Sequence, residues 1–320
     1  MSKLKKLTPS DVLIPANIPT QAQKIYVDNF LKVTKGTGRL MAMAGDQKVE
    51  HLNDDFCGKD IAPEDNDPEH LFRIASGGTI GLFATQYGMI TKYGLSYPKI
   101  PYLVKLNSKT HLVETEQKDP LSRQWLDFHQ VIELKENSGL DIVGVGFTVY
   151  SGSEYEDIML QEAATLITEA HMHGLISIIW SYPRGKAVPN EKDPHLIAGA
   201  AGLALTLGAD FVKINYPKPT GGDPSESLKE ATQAAGRTGV IISGGSSIAP
   251  IEFLKQMHDV IHVGGCRGTA TGRNVHQKSL KEAINMTNAL SAITYNDATV
   301  EEAFKIYEGK EEFKMNPVRS

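Results

Sequence analysis

Eight short runs rich in Val, Ile, Leu and Phe recur along the chain, most of them followed by a turn signal and then a stretch with helical spacing. They are Leu40–Gly45, Thr79–Ala84, Tyr102–Leu106, Ile142–Phe147, Leu175–Trp180, Phe211–Ile214, Val240–Ser243 and Ile261–Gly264. Between them, Arg123–Asn137, Glu154–His173, Pro194–Gly208, Pro224–Gly236 and Ile248–His258 carry apolar residues at helical intervals. Gly139, Gly174 and Gly208 stand where a left-handed residue would stop a helix and turn the chain into the next strand. Strand then helix, repeated eight times, is the pattern of a closed parallel sheet, and the expected fold is an α/β (β/α)8 TIM barrel. Residues 1–39 read as an N-terminal extension with helix. Residues 285–320 read as C-terminal helices that cover the barrel or meet a neighbouring subunit, so that 1–320 forms a single barrel domain.

Length alone permits one large α/β domain or two compact ones. A doubly wound open sheet shares the alternation but wants a Gly-rich fingerprint after its first strand, and here that strand runs into the charged stretch GDQKVEH. Dinucleotide binding is therefore disfavoured. A net charge of −5 argues against a broad nucleic-acid footprint and leaves room only for a focused anion pocket. No stretch approaches the ~20 apolar residues needed to span a bilayer, and the N-terminus has no signal-like apolar run, so a cytoplasmic location is expected. Cys57 and Cys266 lack metal or disulfide spacing and read as buried thiols, in keeping with a reducing compartment.

In a barrel the chemistry belongs at the carboxyl ends of the strands. Asp46 ends the first, Lys105 lies on the third, the fifth runs into Trp180, Tyr182 and Arg184, Lys213 lies on the sixth, and Ser243, Gly244 and Gly245 end the seventh. A lysine inside an apolar strand such as DFVKINYP is costly to bury as an ammonium, and a lowered pKa turns it into a nucleophile able to form an imine. The bland alternative is a lysine reaching the barrel mouth or paired with Asp46. Lys105, in YLVKLN, has the same pattern, and pattern alone does not separate the two. Tyr182 could exchange protons with a substrate hydroxyl, or simply pack with its hydroxyl in water. Glycines in two successive terminal loops, with Gly272, Arg273 and a helix start behind them, suit a phosphate through backbone N–H groups, a helix dipole and a guanidinium fork. His171 and His173 fall on different faces of a helix end and no HExxH pattern occurs, so no metal site is expected.

Taken together, GDQKVEH, YLVKLN, YSGSE, WSYPRG, DFVKINYP, SGG and TGRNV resemble the archaeal-type, DhnA-related class I fructose-1,6-bisphosphate aldolases, over about residues 38–280. That resemblance implies a (β/α)8 barrel in which Lys213 forms the Schiff base, Tyr182 donates and accepts protons, and Asp46 contacts substrate hydroxyls or the carbinolamine. It implies that His51, Trp180 and Arg184 line the substrate channel and that Ser243, Gly244, Gly245, Gly272 and Arg273 hold the phosphate beside the ketone. It also implies a metal-independent, cofactor-free lyase of glycolysis and gluconeogenesis acting on a phosphorylated sugar, and a homo-oligomer. Lys48 departs from the family pattern, which has a glycine there, and is available to the distal phosphate or another acid group. The alternatives are a transaldolase-type synthase using the same imine, a phosphate-binding isomerase in which Lys213 is an electrostatic clamp, and a sugar-phosphate sensor.

Overall fold

The computed structural model describes residues 4–112 and 119–315; the outermost residues of the expected N- and C-terminal extensions lie outside them. Eight parallel strands, β1 (Leu40–Ala44), β2 (Leu82–Gln86), β3 (Tyr102–Lys105), β4 (Ile142–Ser151), β5 (Ile176–Pro183), β6 (Phe211–Ile214), β7 (Gly239–Ser243) and β8 (Gly268–Thr271), pair in sequence order. The barrel closes where Leu40 of β1 meets Gly268 of β8. Twelve α-helices accompany them among the described residues. They are α1 (Thr20–Val33), α2 (Gln47–Glu50), α3 (Glu69–Gly77), α4 (Tyr87–Tyr93), α5 (Phe128–Ser138), α6 (Glu156–Met172), α7 (Pro194–Leu207), α8 (Pro224–Ala235), α9 (Pro250–His262), α10 (Arg273–His276), α11 (Leu280–Asn296) and α12 (Val300–Tyr307).

Local chemistry sets the helix ends. Asp193 and Asp223 accept hydrogen bonds from the first-turn N–H groups of α7 and α8, each with a proline at the first helical position, where no N–H is needed. Gly139, Gly174 and Gly208 all have positive φ, as their positions demanded. The strands are buried on both faces, as expected for a sheet with side chains filling its interior and helices outside.

Several boundaries differ from the sequence reading: β2 starts at Leu82 rather than Thr79, α5 starts at Phe128 rather than Arg123, β4 runs on to Ser151, and two differences are larger. Ile261–Gly264 is not the eighth strand: Phe253, Leu254, Met257, Val260 and Ile261 are buried together along α9, and their spacing is that of one helical face. The true β8 is Gly-Thr-Ala-Thr, which carries no aliphatic run. Its glycine is required because a Cβ at Gly268 would lie 2.0 Å from the Leu40 carbonyl oxygen, across the barrel's closing seam. At the other end, α11 begins before residue 285 and buries Ala283, Met286, Leu290 and Ile293 against the barrel, so it belongs to the helical layer rather than to a separate tail. The N-terminal α1 lies under the barrel, with Tyr26 bonded to Asp210 and Asn29 to the Gly174 carbonyl.

The long pair β4 and β5 matters most for function. It stays in register from Gly144↔Ile176 to Ser151↔Pro183, which carries Tyr150 and Tyr182 beyond the ends of the neighbouring strands.

Candidate functional site

Lys213 sits mid-barrel on β6, its neighbours being Trp180 on β5 and Ile241 on β7. It is 5% exposed, and among the described residues its ammonium has no hydrogen bond or ion pair; the Trp180 ring centroid lies 5.2 Å away. Burial pushes its pKa below the ordinary lysine value, assisted by Lys105 and Arg273 and opposed by Asp46 and Glu50.

Lys105 has the opposite surroundings. Its ammonium lies 3.5 Å from Asp46 Oδ2, donates to Thr148 Oγ1 at 2.6 Å and to the Asn107 carbonyl at 3.2 Å, and stands 4.8 Å from the same Trp180 ring. Asn107 is itself fixed by bonds to Ser122 and to both the N–H and C=O of Thr148. The Asp46 ion pair, which the sequence allowed for Lys213, is thus made by Lys105. One lysine is held; the other is buried and unheld.

Extension does persist through β5, so Trp180, Tyr182 and Arg184 alternate with Ser181 and Pro183. Tyr182 is buried, and burial raises its hydroxyl pKa well above the usual value, reinforced by Glu50 and Asp46. Arg184 lies over the rings of Tyr150 and Tyr182, at 5.4 and 5.9 Å from their centroids, and its Nε is 2.9 Å from each Glu191 oxygen.

Asp46, Glu50, His51, His111, Tyr182, Arg184, Lys192, Lys213, Ser243, Gly244, Gly245, Gly272 and Arg273 line one cavity of about 180 Å³. Of the residues singled out in the sequence, Trp180, Lys105 and Lys48 do not line it; Trp180 forms the wall behind Lys105 and Lys213. A larger cavity, about 400 Å³, lies at the opposite end beneath the N-terminal segment, walled by Val12, Leu13, Ile14 and Phe30, and contains no lysine. Lys48 turns away from the site, donating to Asn53 Oδ1 at 3.1 Å and stacking over Phe56. Cys57 is exposed, contrary to expectation, because the loop after α2 leaves it at the surface; Cys266 is buried.

The corner where a phosphate was expected lies at the ends of β7 and β8. Gly245 has φ +66°, and a Cβ on Gly272 would fall 2.2 Å from Gln47 Nε2. The helix behind it, α10, is a single turn, so its contribution is local N–H groups rather than a macrodipole. Asn274 joins the two loops by donating to the carbonyls of Gly244 and Ser246 and accepting from the Ile248 N–H. Glu50, His111, Lys192 and Asn274 are among the site residues that were not singled out in the sequence. Glu50 had a signal, a carboxylate in a charged run directly after an apolar strand; His111 and Asn274 had none. Glu50 has its carboxyl pKa raised by burial and by Asp46, and His111 is pushed down to about 4, chiefly by burial. Glu50, His51 and His111 have ligand-capable atoms all within 4.8 Å of one another, and among the described residues they form the group able to hold a metal ion.

Similarity agrees with this geometry. Residues 40–278 match the family described as DeoC/LacD family aldolase. A protein of Methanocaldococcus jannaschii named fructose-bisphosphate aldolase/6-deoxy-5-ketofructose 1-phosphate synthase is 59% identical over 306 residues, covering 96% of this chain and 97% of that protein. The structure of a fructose-bisphosphate aldolase from Slackia heliotrinireducens is 51% identical with a TM-score of 0.96, covering 98% and 99% of the two chains. An archaeal fructose-1,6-bisphosphate aldolase, solved with its catalytic lysine covalently bound to the carbinolamine intermediate of the substrate, is 32% identical with a TM-score of 0.73, covering 85% and 100%. With a match that spans the barrel from β1 through α10, this chain belongs to the DeoC/LacD family of aldolases.

Proposed function

We propose that this protein is a class I aldolase that reversibly cleaves fructose 1,6-bisphosphate to dihydroxyacetone phosphate and glyceraldehyde 3-phosphate, with Lys213 as the imine-forming residue. The observation that carries this reading is the contrast between the two buried lysines: Lys105 is bonded to Asp46, Thr148 and Asn107, whereas Lys213 has neither a hydrogen bond nor an ion pair among the described residues. A desolvated, unpaired lysine has the larger neutral fraction, and only the neutral amine attacks a carbonyl.

The cycle follows from the protonation states. Neutral Lys213 adds to the ketone, and transfer of a proton from nitrogen to oxygen gives a carbinolamine. Tyr182, whose raised pKa keeps it a phenol at rest, donates to the carbinolamine hydroxyl, which leaves as water and gives the protonated imine. The resulting phenolate is a strong base and removes the C4 hydroxyl proton as the C3–C4 bond breaks, its electrons moving into the imine. Glyceraldehyde 3-phosphate leaves, Tyr182 returns the proton to C3 of the enamine, and hydrolysis releases dihydroxyacetone phosphate and the free amine. The imine supplies the electron sink that a Lewis acid supplies in metal-dependent aldolases. Asp46, oriented by Lys105, faces the substrate hydroxyls; Ser243, Gly244, Gly245, Gly272 and Arg273 bind the phosphate next to the ketone; His51, Arg184 and the Trp180 wall shape the channel.

The name borne by the 59% identical relative favours a second reading on the same site. The enamine is a carbon nucleophile, and it can attack another aldehyde before it is protonated. Removing the three-carbon enamine unit from a 6-deoxy-5-ketofructose 1-phosphate leaves a three-carbon 2-oxoaldehyde, which is the acceptor such a transfer requires.

We place the protein in the cytoplasm, in glycolysis and gluconeogenesis, as one barrel domain that assembles into a homo-oligomer. The free thiol of Cys57 at the surface and the exposed Leu13 and Leu95 support this. No helix among the described residues is long and apolar enough to cross a membrane. The test of function is release of triose phosphates from fructose 1,6-bisphosphate. Lys213→Met should lower turnover by on the order of 10⁴-fold or more; turnover within tenfold of the parent protein would overturn the assignment.

A further inference from the structure

Glu50 and His111 belong to different segments yet are locked side by side. The His111 backbone N–H donates to the Glu50 carbonyl at 2.9 Å, and the His111 ring meets that of His51 edge-on with centroids 4.5 Å apart. Their donor atoms are not used within the protein. Among the described residues, Glu50 Oε1 and His111 Nε2 are both buried without a hydrogen-bond partner. Burying such atoms unpaired costs free energy, and sites that tolerate the cost commonly have an occupant.

The chemistry of the trio selects the occupant. Two imidazoles and one carboxylate, with donor atoms within 4.8 Å of one another, form a donor set suited to zinc and its neighbours, three protein ligands with the remaining position open to water. Closure by about 1 Å would bring these atoms to the mutual spacing of a tetrahedral set. Behind His51, Asp55 Oδ2 lies 3.9 Å from Nδ1 and has no hydrogen-bond partner. It is placed to become the outer carboxylate that orients a metal-bound histidine. The positive groups Arg184 and Arg273 oppose a cation here, and Asp46 and Asp55 offset them.

We propose that Glu50, His51 and His111 form a binding site for a divalent transition-metal ion of the zinc and cobalt class, at the mouth of the catalytic cavity, and that the bound ion inhibits by blocking sugar-phosphate access to Lys213. The ion takes no part in the imine chemistry.

The test uses full-length protein treated with EDTA and then titrated with Co²⁺. We expect one ion per chain, with the visible ligand-field bands of low-coordinate Co²⁺, displaced by Zn²⁺. His111→Gln, which preserves size, and Glu50→Gln should each weaken binding more than about tenfold, whereas Cys57→Ser should not change it. In the wild-type protein, Zn²⁺ should inhibit sugar-bisphosphate cleavage competitively and EDTA should reverse it. The absence of Co²⁺ bands would overturn the site, as would bands that survive in His111→Gln or vanish in Cys57→Ser. Bands without inhibition would overturn the blocking role. If the trio serves only the far phosphate of the sugar, neither Co²⁺ binding nor Zn²⁺ inhibition will occur. The Co²⁺ readout does not depend on the aldolase reading, so the two can fail separately.

Discussion

The two ends of the barrel handle buried polar groups in opposite ways. At the N-terminal end, Asp210 accepts from Tyr26 at 2.6 Å and from the Ser177 N–H at 2.7 Å and hydroxyl at 3.0 Å, and meets His171 Nε2 at 3.2 Å, while Asn17 takes the other ring nitrogen. At the C-terminal end, Glu50 Oε1, His111 Nε2, Trp180 Nε1 and Asp55 Oδ2 are buried without hydrogen-bond partners among the described residues, and Lys213 is buried without an ion pair among them. The first network holds the fold together. The second keeps its valences for something that is not protein. Barrels separate stability and chemistry along their axis in this manner, because loops at the C-terminal face can carry reactive groups while the opposite face closes the core.

The largest expected effect that sharpens this contrast is at Tyr182. Tyr182→Phe removes the hydroxyl through which the cycle repeatedly passes a proton, and kcat for cleavage should fall by about 10²–10⁴-fold with little change in melting temperature, since the lost hydroxyl makes no hydrogen bond within the described protein. Steady-state kinetics and a thermal melt on the same preparation check both halves.

A change at the other end should behave in reverse. Asp210→Asn turns one of the two acceptor oxygens into an NH2 donor, so either Tyr26 on Oδ1 or Ser177 and His171 on Oδ2 lose their acceptor, and breaking such a buried network costs about 3 kcal/mol. Denaturant unfolding should register that loss while kcat/KM stays within about twofold. A large loss of kcat/KM without destabilisation would dissolve the distinction between the two ends.

The smallest effect concerns the stability cost of Lys213 itself. Its folded-state pKa is lowered, so between that value and the ordinary lysine value the unfolded chain binds more protons than the folded one, and stability rises with pH across that window. Below the window the cost is present in full; above it the cost is gone. Lys213→Met should therefore raise the melting temperature at neutral pH and remove this part of the upward slope. A lower melting temperature would mean that the ammonium contributes to the fold after all.

Much of this was legible in the residues, for reasons that also explain the exceptions. The seven aliphatic strands announce themselves because each is buried on both faces. β8 does not, since Gly268, Thr269, Ala270 and Thr271 are chosen for the tight seam with β1 rather than for hydrophobicity. The lysine pair shows a different limit. DFVKINYP and YLVKLN have the same local pattern, and what separates them is contact at long sequence distance, with Thr148 on β4 and Asp46 beyond β1 reaching Lys105 but not Lys213. Composition cannot encode that; only the closed barrel does. Lys48 is the converse case, a conspicuous charge in the right motif whose side chain leaves the site to stack on Phe56. Asn274, next to the arginine that drew notice, acts by joining two loops, a role visible only once both loops are in place.

The most direct measurement is borohydride reduction of the protein mixed with dihydroxyacetone phosphate, with EDTA present throughout, followed by peptide mass mapping. We expect one stable adduct, on the peptide carrying Lys213. An adduct on Lys105 would keep the imine and contradict the site; no adduct, with turnover abolished by EDTA, would contradict the mechanism.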